Sequence, residues 1–469
     1  MMAKKTLKKF DKSLLLGLKM VLYILLMATF FLIMAVENRP LLIVSRTMGI
    51  TLLTFMIVDT LFLRIYGGYD IGRRKSKPII YSLFLAIVFT DIVTYLELMI
   101  MNTIAPNIRA FRLTSIKWLL ITILLQLLVI ILFTYGGNAL YFYLHEPENC
   151  CVIVGSKEGL TRVMRGVKKY KKQYRIDTVI KYSDKRLESM LEKCHTVFIS
   201  DVPVVERTKI INYCDEHRKN IYFTPEICDI VEANAENYLL DDISVFNYNV
   251  KELTMEQRFV KRFMDIMLAV VFGVISSPIW IISAILIKAY DHGTVLFKQK
   301  RATLNGNVFE VYKFRTMKEN VENRSVTKDD DRITPPGKFL RKIRMDEIPQ
   351  LLNILKGDMS FVGPRPEMLE NVSAYTEELP EFKYRLRVKA GLTGYAQIAG
   401  KYNTTPKDKL MMDLLYIEKY SVWKDIQLLF QTAIVILKSD STEAFESDLE
   451  TEYSNLFETR ASEPTGENI

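Results

Sequence analysis

The chain has 469 residues, of which 49% are hydrophobic and 25% charged, with a formal net charge of +9. That length suits two or three domains at roughly 150 residues each. The apolar residues crowd into the first 145 or so positions and one later block, a pattern that excludes a purely soluble protein with a single greasy core. From Asp440 onward there are nine acidic side chains against one basic, a net of −8, so residues 1–439 carry about +17. Such an excess suits anionic headgroups or phosphorylated substrates. No zinc-finger, homeodomain or RNA-binding pattern accompanies it, so nucleic acid is not an expected partner.

Four apolar runs, 13–36, 41–65, 79–104 and 117–144, each reach the ~20 residues that a bilayer-spanning helix needs. The first is too long for a signal peptide and lacks a cleavage site. Lys4, Lys5, Lys8, Lys9 and Lys12 precede it, and Arg64, Arg73, Arg74, Lys75 and Lys77 separate the second and third runs. The positive-inside rule therefore predicts that both basic segments are cytoplasmic and that the loop with only Arg109 and Arg112 is outside. Asp59, Asp91 and Glu97 fall within the runs; helix packing is the reading preferred here over a relay or ligand site.

From Cys150 the texture changes to short apolar strands, CCVIVG, IDTVIKY, TVFISD and NIYFTP, separated by charged helical stretches. This alternation predicts a small parallel sheet of Rossmann-like type. The G-x-G-x-x-G fingerprint is absent, so a docking or dimerising role fits better than nucleotide binding. Cys150, Cys151, Cys194, Cys214 and Cys228 show no Cys-x-x-Cys spacing, which fits a reduced cytosolic setting and gives no metal site.

A further apolar run, 263–290, is interrupted by Ser276-Ser277-Pro278 and flanked by Lys261, Arg262, Lys288, Lys298, Lys300 and Arg301. Basic flanks on both sides predict a re-entrant segment with both ends in the cytoplasm, turning at Ser277 and Pro278. Amphipathic helices are expected near 407–420 and 422–437, and the acidic composition after 440 predicts a disordered tail. The expected domains are then a four-helix transmembrane domain (1–146), a Rossmann-like domain (147–250), a mainly α monotopic domain with the re-entrant helix (251–439), and the tail (440–469).

The chemistry-bearing motifs lie in 251–439. In NVFEVYKFRTM, strand alternation puts Lys313 and Arg315 on one face, in line with Phe309 and Val311. Two such cations repel unless an anion or water lies between them. A helix over 337–345 carries an apolar stripe of Phe339, Leu340 and Ile343, with Lys338, Arg341, Lys342 and Arg344 around it. Asp346 and Glu347 follow at the junction with a helix that Pro349 is suited to start. By themselves they either complement that helix dipole and neutralise their basic neighbours, or share a site with a phosphate and a metal ion. In GDMSFVGPRPE, however, Arg365 stands between Pro364 and Pro366, a rigid setting for a planar, anion-gripping fork. Asp329, Asp330 and Asp331 before Arg332, the loop KAGLTGYAQ (389–397), and Asp358 are further candidates for binding a ligand or metal.

The succession KRFMDIM, SSP, VLFKQKR, FEVYKFRTM, DDDRIT, GKFLRKIRMDEIPQLLNILKGDMSFVGPRPE and GLTGYAQIAG, spread over 255–440, resembles the bacterial sugar transferase family, the monotopic polyprenyl-phosphate glycosylphosphotransferases. The preceding helices and α/β segment resemble its large, multidomain branch. After Lys300-Arg301, Ala-Thr-Leu-Asn-Gly stands where relatives usually have Val-Gly or similar. The resemblance implies transfer of sugar 1-phosphate from a UDP-sugar to undecaprenyl phosphate with release of UMP, at the cytoplasmic face of the bacterial inner membrane. It implies that Asp346 is the nucleophile and that Glu347 holds Mg²⁺. Lys313, Arg315, Arg332, Arg341, Arg344 and Arg365 are the expected substrate-binding cations around them. Membrane lipids are expected partners, and a homodimer is left open. Two other readings stay in view: a metal-dependent glycosyltransferase using an Asp-x-Asp set and releasing UDP, and a non-enzymatic membrane scaffold or nucleotide sensor. No motif reads the identity of the sugar.

Overall fold

The computed structural model describes residues 11–101, 113–250, 252–318, 330–400 and 404–437. Asp329, the loop with Arg109 and Arg112, and the acidic tail lie outside them. The described chain is mostly helical, with five helices long and apolar enough to cross a membrane and a small α/β region. It packs as two units, one within the residues up to Thr224 and the other from Pro225 onward.

In the first unit, α1 (Asp11–Met34), α2 (Arg46–Tyr66), α3 (Ser76–Met101) and α4 (Ile116–Leu144) match the four apolar runs. They bury Leu22, Phe30, Phe55, Ile79, Leu83 and Ile130 among themselves and leave Ile24, Leu53 and Leu124 exposed, an outward apolar surface that water would not tolerate and lipid would. Asp91 is fully buried. Gln126 Nε2 donates to its Oδ1 at 3.3 Å and to the Leu26 carbonyl at 3.0 Å, a tie among α3, α4 and α1.

Four parallel strands follow, β1 (Glu148–Val154), β2 (Tyr174–Lys181), β3 (Thr196–Ser200) and β4 (Asn220–Phe223), in the order β2-β1-β3-β4. Alternation sorts the residues of β1 to opposite faces: Cys150, Val152 and Val154 pack with α5 (Lys157–Val167), while Cys151 and Ile153 pack with α6 (Leu187–Glu192) and α7 (Val204–Glu216). The turn after β1 is where a doubly wound sheet would hold a phosphate. Here Asp201 fills it, accepting from Ser156 Oγ at 2.6 Å and Arg162 Nη1 at 3.1 Å. All five cysteines are free thiols and only Cys228 is exposed.

The second unit starts with α8 (Ile227–Glu232) and the hairpin β5 (Glu236–Leu240) and β6 (Ile243–Asn247). Next comes α9 (Met255–Asp291), opened by a reciprocal capping box between Thr254 and Gln257. The expected interruption at Ser276-Ser277-Pro278 does not break it: the backbone stays helical through Pro278. Proline lacks the N–H that would bond to the carbonyl four residues back. That carbonyl, Val274 O, receives Ser277 Oγ at 2.8 Å instead.

The hairpin β7 (Leu296–Ala302) and β8 (Val308–Phe314) turns at Asn305 and Gly306, both in the left-handed region, so an Asn-Gly turn serves where the family resemblance suggests another glycine loop. After it come α10 (Pro335–Lys342), α11 (Gln350–Lys356), β9 (Ser360–Val362), α12 (Leu369–Glu378), a 3₁₀ stretch (Pro380–Arg387), β10 (Gly391–Thr393), α13 (Tyr395–Ala399), α14 (Pro406–Glu418) and α15 (Val422–Leu437). The core of this unit joins Val311, Leu351, Ile354, Phe361, Val362, Tyr416 and Leu428 with Ala269 of α9.

Candidate active site

Three local features build the site. Gly337 at the start of α10 lies so close to Thr316 that a Cβ would stand 2.1 Å from its carbonyl oxygen, which seats α10 against the end of β8. Arg344 adopts a left-handed backbone (φ 54°) that ends the α10 segment sharply, a conformation costly for a non-glycine residue. A single 3₁₀ turn, Met345–Glu347, then carries Asp346 and Glu347 to the mouth of α11. Buried Asn353 ties α11 to β8: its Oδ1 accepts from Tyr312 N at 2.9 Å and its Nδ2 donates to the Glu310 carbonyl at 2.7 Å. The pairing brings Lys313, one residue beyond Tyr312, to the acidic pair.

Lys313 Nζ donates to Glu347 Oε1 at 2.9 Å and Arg365 Nη2 donates to the same oxygen at 2.8 Å. Burial alone would raise the Glu347 carboxyl, but Arg365 and Lys313 together hold it well below the usual carboxylate range. Asp346 is pushed upward, first by burial and then by the charge of Glu347, with Lys313 and Arg341 opposing. The two adjacent carboxyl groups are thus shifted in opposite directions, Glu347 downward and Asp346 upward. Arg341 sends Nε to Thr316 Oγ1 at 2.8 Å and feels the charge of Asp346.

Not every expected cation joins them. Arg315 does not share an anion with Lys313; its fork closes on Asp291 at the end of α9, with Nη1 2.9 Å from Oδ2 and Nε 2.6 Å from the Thr294 carbonyl. The strand ends at Phe314, so the alternation that aligned the two cations stops before Arg315. Arg332 is buried in a two-pronged pair with Asp330, with Nε 2.7 Å from Oδ1. An Asp-x-Asp reading would lean on Asp329 and Asp331, which flank Asp330, and Asp329 lies outside the described residues. Arg344 is exposed at the junction. Asp358 lies in the turn beyond α11, the far end from Glu347, near Asn353 Nδ2 (3.4 Å), and is a turn residue, not a second metal ligand. The glycines of the 391–394 loop face backbone: a Cβ on Gly391 would meet Gly363 N at 2.1 Å and one on Gly394 would meet Gly363 O at 2.2 Å. They admit the neighbouring strand, not a ligand. In the stripe on α10, only Leu340 is buried, while Phe339 and Ile343 are exposed.

Sequence reasoning missed the buried ties. Lys261 Nζ pairs with Asp425 and donates to the Val362 carbonyl at 3.0 Å, with Tyr416 Oη 3.3 Å away. Asp265 Oδ1 accepts from Ser360 Oγ and Phe361 N, both at 2.9 Å. A lysine and an aspartate four residues apart at the edge of an apolar helix were the available signal. As for a cation cofactor, the acidic pair offers the hard oxygens that Mg²⁺ takes, and Mg²⁺ needs only one or two carboxylates beside substrate phosphates and water. Among the described residues no three potential ligands of the His, Cys, Asp and Glu type converge.

Residues 256–439 match the family model described as bacterial sugar transferase. The chain is 40% identical over 185 residues to a UDP-N-acetylgalactosamine-undecaprenyl-phosphate N-acetylgalactosaminephosphotransferase of Aeromonas hydrophila, covering 38% of this chain and 44% of that one. It is 33% identical over 255 residues to a UDP-glucose:undecaprenyl-phosphate glucose-1-phosphate transferase of Xanthomonas campestris, covering 51% and 52%. A protein of the same name from Caulobacter vibrioides is 35% identical over 189 residues, 39% of this chain and 71% of the relative. The chain spans about half the length of the first two relatives. On the covered relative from Caulobacter and on the motifs that form the site just described, the chain belongs to the bacterial sugar transferase family.

Proposed function

We propose that this protein transfers sugar 1-phosphate from a UDP-sugar to undecaprenyl phosphate, giving undecaprenyl-diphosphate-sugar and UMP. The observation that carries the reading is the convergence of Lys313 and Arg365 on one oxygen of Glu347 beside Asp346. Cations so arranged can hold a pyrophosphate while a neighbouring carboxylate attacks it. Asp346 attacks the sugar-linked phosphorus; a new P–O bond forms to its carboxylate, the pyrophosphate P–O bond breaks, and UMP leaves with the bridging oxygen. An oxygen of the lipid phosphate then attacks the aspartyl phospho-sugar, the acyl phosphate bond breaks, and the Asp346 carboxylate returns. Arg365 and Lys313 bear on the negative charge, and the charge of Arg341 acts on Asp346. Glu347 would hold Mg²⁺, which supplies neutralisation of phosphate charge when bound.

The architecture read here is four spanning helices, a Rossmann-like domain and a catalytic domain whose unbroken α9 rests in one leaflet with both ends on the cytoplasmic side of the inner membrane. Support comes from the two ends of α9. Lys261 and Asp265 near its start bond Val362, Asp425, Ser360 and Phe361, while Ile287 packs on Phe314 and Leu340, and Asp291 pairs with Arg315. One body thus holds both ends. A span would have to drag that body, with its charges, through hydrocarbon. Between the anchors Val270, Val271, Val274, Ile275, Ile281 and Ile282 are exposed, and the exposed Phe339 and Ile343 lie on the same unit, consistent with a face that meets lipid.

Purified protein incubated with undecaprenyl phosphate and a panel of UDP-sugars should release UMP with one of them. Release of UDP would identify transfer of the bare sugar, and no nucleotide release from any sugar together with a cellular role that survives loss of Asp346 would favour the non-enzymatic scaffold reading.

A further inference from the structure

Behind the Pro-Arg-Pro loop lies a buried ionic cluster outside the site described above. Arg385 of the 3₁₀ stretch Pro380–Arg387 is 3% exposed, and its guanidinium has three polar neighbours. Nε lies 3.0 Å and Nη2 2.9 Å from Asp413 Oδ2 on α14, Nη2 also donates to the carbonyl of Arg365 at 2.9 Å, and Nη1 stands 3.7 Å from Glu367 Oε1. Asp413 is equally buried. Lys409 Nζ reaches Glu367 Oε1 at 3.2 Å from the same helix, and the Arg385 guanidinium lies over the Phe382 ring at 4.9 Å.

The loop is held along its whole length. The Pro364 carbonyl accepts from Gly391 N at 2.8 Å, Arg365 O from Arg385, Pro366 O from Arg301 Nη1 at 3.2 Å, and Glu367 O from Ala302 N at 3.4 Å. Prolines fix their own φ, and a residue before proline is confined to extended backbone. Within that extended range the Arg365 dihedrals can still vary by roughly 40°, which tilts the peptide plane carrying its carbonyl and turns the side chain with it. Arg385 fixes that plane. A buried ion pair is a poor way to gain stability, because apolar residues of equal volume often do as well or better. An apolar residue, however, could not donate to this carbonyl.

We propose that Arg385, backed by Asp413, is a positioning residue that sets the aim of Arg365 at the acidic pair without touching substrate. The inference rests on the phosphoglycosyl-transfer reading above. The test is a double-mutant cycle on the full chain in detergent, with undecaprenyl phosphate and whichever of UDP-glucose, UDP-galactose and UDP-N-acetylgalactosamine the wild type turns over, reading kcat for UMP release. Arg385→Gln should lower kcat by at least about tenfold, the scale of one hydrogen bond to a charged group, when residue 365 is arginine. It should lower kcat less than about twofold when Arg365→Lys is already present, since the fork it aims is gone. If Arg385→Gln does not survive size-exclusion chromatography, Arg385→Lys carries the same comparison with the charge retained. Equal losses in both backgrounds, or no loss in either, would overturn the positioning role while leaving the function standing. A wild type that releases no UMP from any of the three sugars would overturn the function and this role together.

Discussion

Replacing Arg365 with lysine separates charge from geometry. The arginine side chain is 45% exposed, reaches Glu347 Oε1 at 2.8 Å through Nη2, and shares that oxygen with Lys313. Lysine keeps the positive charge but presents a point donor in place of a planar fork. Ground-state stability should barely change, because a half-exposed ion pair is worth little and Lys313 still pairs the carboxylate. The loss falls on the step in which the pyrophosphate, not Glu347, must be gripped. One hydrogen bond to a charged group is worth about 1.5–3 kcal/mol, or roughly a ten- to hundred-and-fifty-fold fall in kcat. Initial rates of UMP release at saturating UDP-sugar, with circular dichroism to check folding, would measure it. A variant within twofold of wild type would refute a direct role and leave Arg365 as a structural partner of Glu347.

Asp346→Asn keeps the shape of the side chain but removes the nucleophile, so UMP release should vanish while the protein stays folded and membrane-bound; a phospho-sugar adduct trapped on another residue would reassign the role. Glu347→Gln should weaken the apparent Mg²⁺ affinity and the rate together, and an unchanged Mg²⁺ titration would remove Glu347 as the ion's holder. Lys261→Met strands Asp425, whose side chain is 3% exposed, at a cost of about 3–5 kcal/mol; heat resistance in detergent should drop, and adding Asp425→Leu should restore part of it, whereas an unaltered single variant would show that the pair is dispensable. Single cysteines replacing Arg258 or Val295 in a Cys-free background should both resist an impermeant maleimide until cells are lysed, and labelling of the second alone would establish a spanning helix.

Length, hydropathy and charge flanks were enough to locate the four N-terminal helices within a few residues, because burying a helix in lipid demands a continuous apolar run that no soluble element imitates. Short apolar runs between charged stretches likewise marked all four parallel strands, and the Pro-Arg-Pro loop drew attention to Arg365, while roles for Asp346 and Glu347 came only with the family resemblance. What the sequence left open concerns partners far apart along the chain. Lys313 and Arg315 are two residues apart, yet one turns to Glu347 and the other to Asp291, because the strand stops between them and each finds its anion on a different helix. Asp330 looked like a metal ligand until Arg332 folded back on it. The glycines at 391 and 394 read as a ligand loop, but the space they leave is filled by the Gly363 backbone of a neighbouring strand. Pro278 read as a break, and a serine hydroxyl on the bonded turn kept the helix intact. Arg385 and Asp413 sit in unremarkable stretches 28 residues apart; only the fold closes that distance and gives the pair the Arg365 carbonyl to hold. Local patterns mark which segments are long and apolar enough for lipid or form a sheet, since those depend on neighbours in sequence. Which cation meets which anion depends on chain closure over tens of residues, and that is decided by packing.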